Sequence, residues 1–432
     1  MTTFEGAISD PRGTLGGLAI AFAFLIFGSL VLAIDGPSLL AHPTAFPTLA
    51  VIHAFAAFIV LSIVAATHQL IPVVTGGRTL PAWVALAFGA PIAIGFALLV
   101  ASFEGAGLFV PAGTLLAVGI GAWSLAMLAR LIFASRELRL RIALAIAVAA
   151  LLGAAAIGTQ MALAFGGATS GGWLRLAPVH ALLAIAGFAS ATIVAISYRL
   201  VPMFALSHTD DGLRRFLPAL GVPALAVVAA LCWFGPVWIL RSMLAAVLVA
   251  FVAFIIIQAG VLRRRLRRVL DVSLRYAVVT WSFAILALLA ALSATVAPSL
   301  APVAVILAVL GWITPAILGY AYKIVGFLAW QRAKDRYPQA QLPPLSGAVD
   351  LRLSGFALLA LTIGALGNAI AAVGPTLFGI PEILYYAGVL LSLAALARVI
   401  VRYRRISCNE PSTAAGSIHR SRWSASLPNS TR

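Results

Sequence analysis

The chain has 432 residues, of which 62% are hydrophobic and only 9% are charged, and its mean hydropathy is +1.08. A water-soluble domain of this length would have too little polar surface to cover itself, so the composition excludes that class and predicts a polytopic membrane protein. The formal net charge of +17 does not indicate nucleic-acid binding, because the positive residues follow the pattern of membrane loops.

Apolar runs close to the roughly 20 residues that cross hydrocarbon occur at about twelve places. They predict an all-α membrane domain over 15–402, preceded by a cytoplasmic N-terminus at 1–14 and followed by a disordered tail at 403–432. In chain order the predicted helices cover residues 15–34, 49–71, 81–102, 108–129, 142–165, 178–201, 216–235, 241–262, 275–296, 302–325, 353–374 and 382–401.

The charges of the predicted loops indicate how these helices are oriented. Each cluster of arginine and lysine follows an even-numbered helix, the last of them forming a basic tail, and the odd-numbered connections carry little charge. The clusters lie at 130–141, 199–215, 263–275, 323–352 and from 398 onward. The positive-inside rule therefore predicts that both termini are cytoplasmic, and the Arg-rich composition favours a bacterial plasma membrane.

One segment of 16 residues recurs three times, each copy at the end of a long apolar run. The copies read AFIVLSIVAATHQLIP, GFASATIVAISYRLVP and GWITPAILGYAYKIVG, and they start at residues 57, 187 and 311, hence 130 and 124 residues apart. This spacing corresponds to about four membrane crossings with their loops. It predicts three four-helix units, with the repeated segment on helices 2, 6 and 10.

Histidine is the main candidate for chemistry within the membrane, because no Asp or Glu falls in the middle of a predicted helix. His53 lies 19 residues before Pro72, and His180 lies 22 residues before Pro202. At about 1.5 Å per residue the two differ in depth by about one helical turn, so they are expected to approach one site near the outer face. Neutral imidazole binds haem iron and copper. The alternative is that each ring serves only a hydrogen bond between helices.

Four further residues carry weaker expectations, and two of them are given no role in a site. Met161, near the outer end of helix 5, is either a sulfur ligand of a haem site or ordinary packing. His68 takes the place of Tyr198 in the next copy of the segment and is expected to belong to an interfacial aromatic belt. Arg199 and Lys323, at the inner ends of helices 6 and 10, are expected to extend toward lipid headgroups.

The strings HAFAAFIVLSIVAATHQLIPVV, HALLAIAGFASATIVAISYRLVPMF and GWITPAILGYAYKIVGFLAW resemble subunit I of the haem-copper oxidases. They look most like a poorly characterised bacterial branch near the nitric-oxide-response haem-copper membrane proteins. The resemblance covers about residues 10 to 405 and implies twelve helices in three arcs. It implies ligand roles only for His53, as a haem ligand, and for His180, on the copper-ligand helix, because predicted helices 7 and 10 contain no histidine.

Three functions follow as hypotheses. The first is a degenerate oxidase-like protein that binds haem or copper through His53 and His180 in a sensing, delivery or respiratory accessory role, without oxygen reduction. The second is a transporter whose pathway runs through one of the arcs. The third is a cofactor-free scaffold for a respiratory or other membrane protein partner. In all three the lipid bilayer is the surrounding medium, and a complete oxidase active site is not expected.

Overall fold

The computed structural model describes residues 11–75, 81–207, 212–266, 269–336, 342, 348–374 and 379–406. This described part contains twelve helices and no strand. The helices are α1 Pro11–Ala41, α2 Phe46–Thr75, α3 Ala82–Ala101, α4 Phe109–Phe133, α5 Leu138–Phe165, α6 Gly171–Ala205, α7 Leu213–Leu231, α8 Val237–Arg263, α9 Val272–Ala294, α10 Pro298–Arg336, α11 Leu351–Ala371 and α12 Ile380–Ile406.

Eleven of these twelve helices are long and apolar enough to cross a membrane, and α7 has a shorter apolar stretch at Arg215–Leu231. The predictions of an all-α architecture and a multi-pass membrane protein are confirmed. The predicted break between the seventh and eighth helices is also seen, since α7 ends at Leu231 and Pro236 precedes the first residue of α8. Residues 1–10 and 407–432, which hold most of the predicted terminal segments, lie outside the described residues.

Helices α2, α6 and α10, which carry the recurring segment, form the centre of the bundle. Their spans are 72%, 56% and 67% buried, whereas no other candidate span exceeds 44%. Helices adjacent in sequence pack as antiparallel neighbours, and α1 also packs against α12, so the two ends of the described chain meet. The recurring segment therefore marks the three helices that are most enclosed by protein.

The three copies of the segment surround one small cavity, with an interior volume of about 50 Å³. Apart from Leu18 of α1, every residue that lines this central cavity lies at the sixth, seventh, tenth, eleventh or fourteenth position of a copy. These positions form one face of a helix, because they are three or four residues apart. The copies thus present matching faces to one another, whereas the grouping of the other helices into three oxidase-like arcs stays a prediction.

Close helix packing explains why the first residue of each copy is small. A Cβ on Gly311 would lie 2.1 Å from Phe283 of α9, and one on Gly187 would lie 2.9 Å from the Cβ of Ala150 of α5. Ala57, at the same position of α2, has no exposed surface. In a membrane, where lipid is as apolar as the side chains, such small residues let helices approach closely and gain packing contacts.

The basic residues near the ends of the second and third segments form ion pairs that the sequence did not predict. Arg199 forms an ion pair with Glu137, just before α5. Lys323 Nζ lies 2.7 Å from Asp271 Oδ2, just before α9. Each cation therefore has an acidic partner in a neighbouring loop, which the sequence did not predict, and extension toward the headgroups stays a prediction. The two ion pairs are equivalent in position, since each joins the residue just before an odd-numbered helix to the thirteenth residue of the repeated segment on the next helix.

The predicted aromatic belt at the ends of the segments is not seen. His68, Tyr198 and Tyr322 are 5%, 0% and 1% exposed, so they face the protein interior and not a headgroup layer. His68 lines a second, smaller cavity of about 20 Å³ between α2, α3 and α4, together with Arg130.

Helix α11 begins at a charged cap on the same side of the bundle as these ion pairs. The backbone N–H groups of Leu353 and Arg352 donate hydrogen bonds to Asp350 Oδ1 at 3.1 and 3.0 Å. Arg398 of α12 donates to Oδ2 at 3.0 Å. The hydrogen bond from Leu353, with those from Arg352 and Arg398, lowers the pKa of the Asp350 carboxyl below its ordinary value. A carboxylate at this position also stabilises the N-terminus of the helix.

Candidate functional site

His53 lies on the second turn of α2, and its orientation is set by its own helix. The ring Nδ1 is 2.7 Å from the carbonyl oxygen of Leu49, one turn earlier. A carbonyl oxygen only accepts hydrogen bonds, so a neutral His53 carries its proton on Nδ1 and leaves a lone pair on Nε2. The ring also packs at 5.2 Å from that of Phe103. These contacts fix both the tautomer and the direction of the ring.

His180 on α6 has the same tautomer, which a different helix imposes. Its Nδ1 is 2.8 Å from the carbonyl oxygen of Ala154 on α5. The ring lies directly against Gly158, where an added Cβ would be 2.8 Å from Cε1 and 3.2 Å from Nδ1. The absence of a side chain at Gly158 therefore makes room for this imidazole. As in His53, the lone pair of a neutral ring is on Nε2.

The rings of His53 and His180 are within range of an electrostatic interaction with each other, although they belong to α2 and α6. That the two histidines share one site stays a prediction. Metal-binding histidines in proteins usually donate the N–H of the second ring nitrogen to a carbonyl or carboxylate, which holds the ligating nitrogen in place. Both rings have this arrangement, with Nδ1 anchored and Nε2 available.

Four phenylalanines enclose this end of the site. Their ring centroids lie 5.2 to 6.0 Å apart in all six pairings, and they are Phe46, Phe103, Phe109 and Phe165. Gly105 and Gly107, with φ of 101° and 69°, permit the tight turn between α3 and α4 that brings two of these rings together. The cluster makes the surroundings of His53 apolar, so a cation there would be poorly solvated.

Met161 lies near both histidines by helical register. Ala154, Gly158, Met161 and Phe165 are four, three and four residues apart, so they share one face of α5. This face contacts His180 at Ala154 and Gly158 and the ring cluster around His53 at Phe165. Met161 is half-buried between these points, and its role as a sulfur ligand stays a prediction.

A feature that the sequence reasoning missed is a π-helical turn just after His180. Residues Leu183–Ser190 of α6 and Leu307–Ile313 of α10 are π-helical and begin at equivalent positions of the repeat, 124 residues apart. The matching stretch of α2, which begins at His53, is regular α-helix. One extra residue per turn rotates the preceding part of the helix by about 100°. The π-helix therefore determines which way His180 points, and no hydrophobic periodicity reveals it.

The ligands that the described residues offer are few and neutral. No group of three or more His, Cys, Asp or Glu in the described part of the chain is arranged to hold a metal ion. Any metal at His53 and His180 would thus have two nitrogen ligands from these residues, with Met161 as the nearest sulfur by register. His208, His419 and Cys408 lie outside the described residues.

No family model matches this sequence, and no curated protein matches it. The geometry of the two histidines and the resemblance of the repeated strings are therefore the grounds on which a function can be proposed.

Proposed function

We propose that this integral membrane protein binds a single metal centre through Nε2 of His53 and Nε2 of His180. The observation that carries the proposal is the pair of imidazoles on separate helices, each anchored through Nδ1 to a backbone carbonyl and each within electrostatic range of the other. A histidine with only a structural role also needs a hydrogen bond. Such a role does not require two histidines to have the same tautomer or to lie in the same region of the bundle.

The neutral ligand set favours copper(I) or haem iron over a free divalent ion. A divalent ion in apolar surroundings without a carboxylate or thiolate ligand would keep most of its charge uncompensated, which is costly. Copper(I) carries one charge and accepts imidazole and thioether ligands, whereas the macrocycle of haem supplies two negative charges of its own. Between these two we favour copper(I), because the ligands proposed for the site are two imidazole nitrogens and, by its register on α5, the sulfur of Met161.

The scaffold and the site together support an accessory, sensing or delivery role in a bacterial plasma membrane. Oxygen reduction is not part of the proposal, because the sequence has no histidine over the predicted seventh and tenth helices. When bound, the metal would supply ligand binding or one-electron exchange. The residues of the chain hold two imidazoles in one tautomer, and the phenylalanine cluster limits water at one end.

The test is the metal content and visible spectrum of the protein purified in detergent after growth in copper-rich and in haem-rich medium. We expect one copper ion per chain from the first culture, or a Soret band from the second. His42→Ala is the matched control, because His42 is an exposed histidine at the same end of the bundle. It should leave the bound metal unchanged. Protein that contains neither copper nor haem from either culture would refute the proposal and favour the scaffold hypothesis.

The transport hypothesis makes a separate prediction, which does not depend on a metal. It requires a substrate-dependent flux into proteoliposomes that contain the protein. A flux that His53→Ala and His180→Ala leave unchanged would favour transport over the metal-binding role.

A further inference from the structure

The π-helical turns of α6 and α10 are joined to each other by a hydrogen bond between side chains. Trp312, in the turn Leu307–Ile313 of α10, donates its indole N–H to the hydroxyl oxygen of Ser190 at 3.0 Å. Ser190 is the last residue of the π-helical turn of α6. This bond therefore connects α10, which contains no histidine, to the turn of α6 that sets the direction of His180.

The aromatic residue at the second position of the segment can donate a hydrogen bond in one copy only. The three copies have Phe58, Phe188 and Trp312 there, and only the indole carries an N–H group. The indole of Trp312 is buried, and the ring of Phe251 on α8 packs edge-on against it at 5.5 Å. A buried N–H group without a partner would cost free energy. Packing against α8 and the bond to α6 together fix the direction of this ring.

Three contacts hold the stretch of α6 from His180 to Ser190. At its first residue, the imidazole bonds to a carbonyl oxygen of α5. In its middle, Gly187 packs so closely on α5 that an added Cβ would lie 2.9 Å from a neighbouring Cβ. At its last residue, the hydroxyl accepts the bond from α10. A π-helical turn contains one more residue than an α-helical turn, so moving this extra residue along the helix rotates part of the helix by about 100°.

We propose that Trp312 and Ser190 are positioning residues for His180. Their hydrogen bond keeps the extra residue of the α6 turn in place and thereby holds the imidazole at the carbonyl oxygen of Ala154. The third copy of the segment then serves the histidine site without supplying a ligand. The consequence for metal binding rests on the proposed function, whereas the direction of the ring is a property of the metal-free protein.

The test compares the wild type with Trp312→Phe and Ser190→Ala, which remove the hydrogen bond from opposite sides. Trp312→Phe is a mild change, because it gives the third segment the residue that the other two have at this position. The metal-free protein, with its histidines labelled with nitrogen-15, is measured by NMR in lipid vesicles, and the signals of His180 are assigned by their loss in His180→Ala. In the wild type we expect a single tautomer with the proton on Nδ1. In both variants we expect signals from both tautomers, since a ring that leaves the α5 carbonyl loses the acceptor that selects this tautomer.

The second measurement is the copper(I) affinity of the same proteins. Each single substitution should lower the affinity by about tenfold, as for other losses of a contact that orients a ligand. The double variant of Trp312→Phe and Ser190→Ala should bind no more weakly than either single variant, because both substitutions remove the same bond. Independent, additive losses would contradict a role through this bond.

A matched control separates the hydrogen bond from the loss of an indole. Trp281→Phe, on α9, also removes a buried indole N–H, but one that has no partner among the described residues. It should leave the tautomer of His180 and the copper affinity unchanged. The proposal is refuted if His180 keeps its single tautomer in both Trp312→Phe and Ser190→Ala, whether or not the protein binds metal. A wild type that binds no copper, but whose His180 tautomer still changes in these variants, would refute the proposed function alone and support this inference.

Discussion

Gly158 gives the sharpest test of how the structure holds His180 without altering a proposed ligand. In Gly158→Ala, the new Cβ would lie 2.8 Å from Cε1 and 3.2 Å from Nδ1 of the imidazole. The ring would have to move by about 0.6 Å to reach ordinary contact at 3.4 Å. Since its anchoring hydrogen bond to Ala154 is 2.8 Å long, this movement lengthens or breaks that bond. We expect the affinity for the metal to fall by roughly 10- to 100-fold, as for other losses of a ligand's anchoring contact.

The assay is a competition titration of the purified protein with a chromogenic copper(I) chelator, or a haem titration if haem is the group that binds. Gly153→Ala is the control, because it adds the same methyl group to α5 but meets only Leu183, at an ordinary 3.4 Å. Its affinity should equal that of the wild type. If Gly158→Ala also binds with wild-type affinity while the protein remains folded, the inferred role of Gly158 in orienting His180 is wrong.

Three predictions concern stability in detergent. Lys323→Met leaves Asp271 without its ion-pair partner and should lower the free energy of unfolding by about 1–2 kcal/mol. A double-mutant cycle with Asp271→Asn should show that the two effects are coupled. Additive effects would contradict the ion pair. Gly311→Ala places a methyl group against the ring of Phe283 on α9 and should lower the free energy of unfolding, measured by chemical denaturation, by about 1–3 kcal/mol. Gly260→Ala, where the added methyl group meets open space, should not lower it. The folded protein lowers the pKa of Asp350, so the stabilisation by this carboxylate is present above its unfolded-state pKa of about 3.9 and is lost as the pH falls. Between pH 5 and pH 3 the melting temperature should therefore drop more in the wild type than in Asp350→Asn. Equal drops would show that the cap contributes nothing to stability.

Most of the fold could be predicted from the sequence, because membrane helices follow directly from apolar length and loop charge. The recurring segment indicated a threefold repeat on α2, α6 and α10, but only the structure shows that these three helices are the most buried spans. The sequence did not show that the three copies enclose a cavity. The cavity depends on which face of each helix turns inward. A helix that is apolar on all sides shows no amphipathic pattern from which that face could be predicted.

The candidate site was predicted only in part. Counting residues from the closing prolines placed His53 and His180 at a similar depth, and in the structure the two rings are within range of an electrostatic interaction. The hydrogen bonds to Leu49 and Ala154, the space at Gly158 and the π-helical turn after His180 could not be predicted, because each depends on local helix geometry or on contacts between distant helices. The ion pairs of Arg199 and Lys323 were missed for the same reason, since their acidic partners lie in other loops.

The central claim is that His53 and His180 belong to one metal site. The most direct measurement is the copper(I) affinity of His53→Ala, His180→Ala and the double variant, by competition with a chromogenic chelator. We predict that each single substitution abolishes tight binding of one equivalent of copper and that the double variant is no weaker than either. Wild-type affinity in either single variant would show that the two histidines do not share a metal ion.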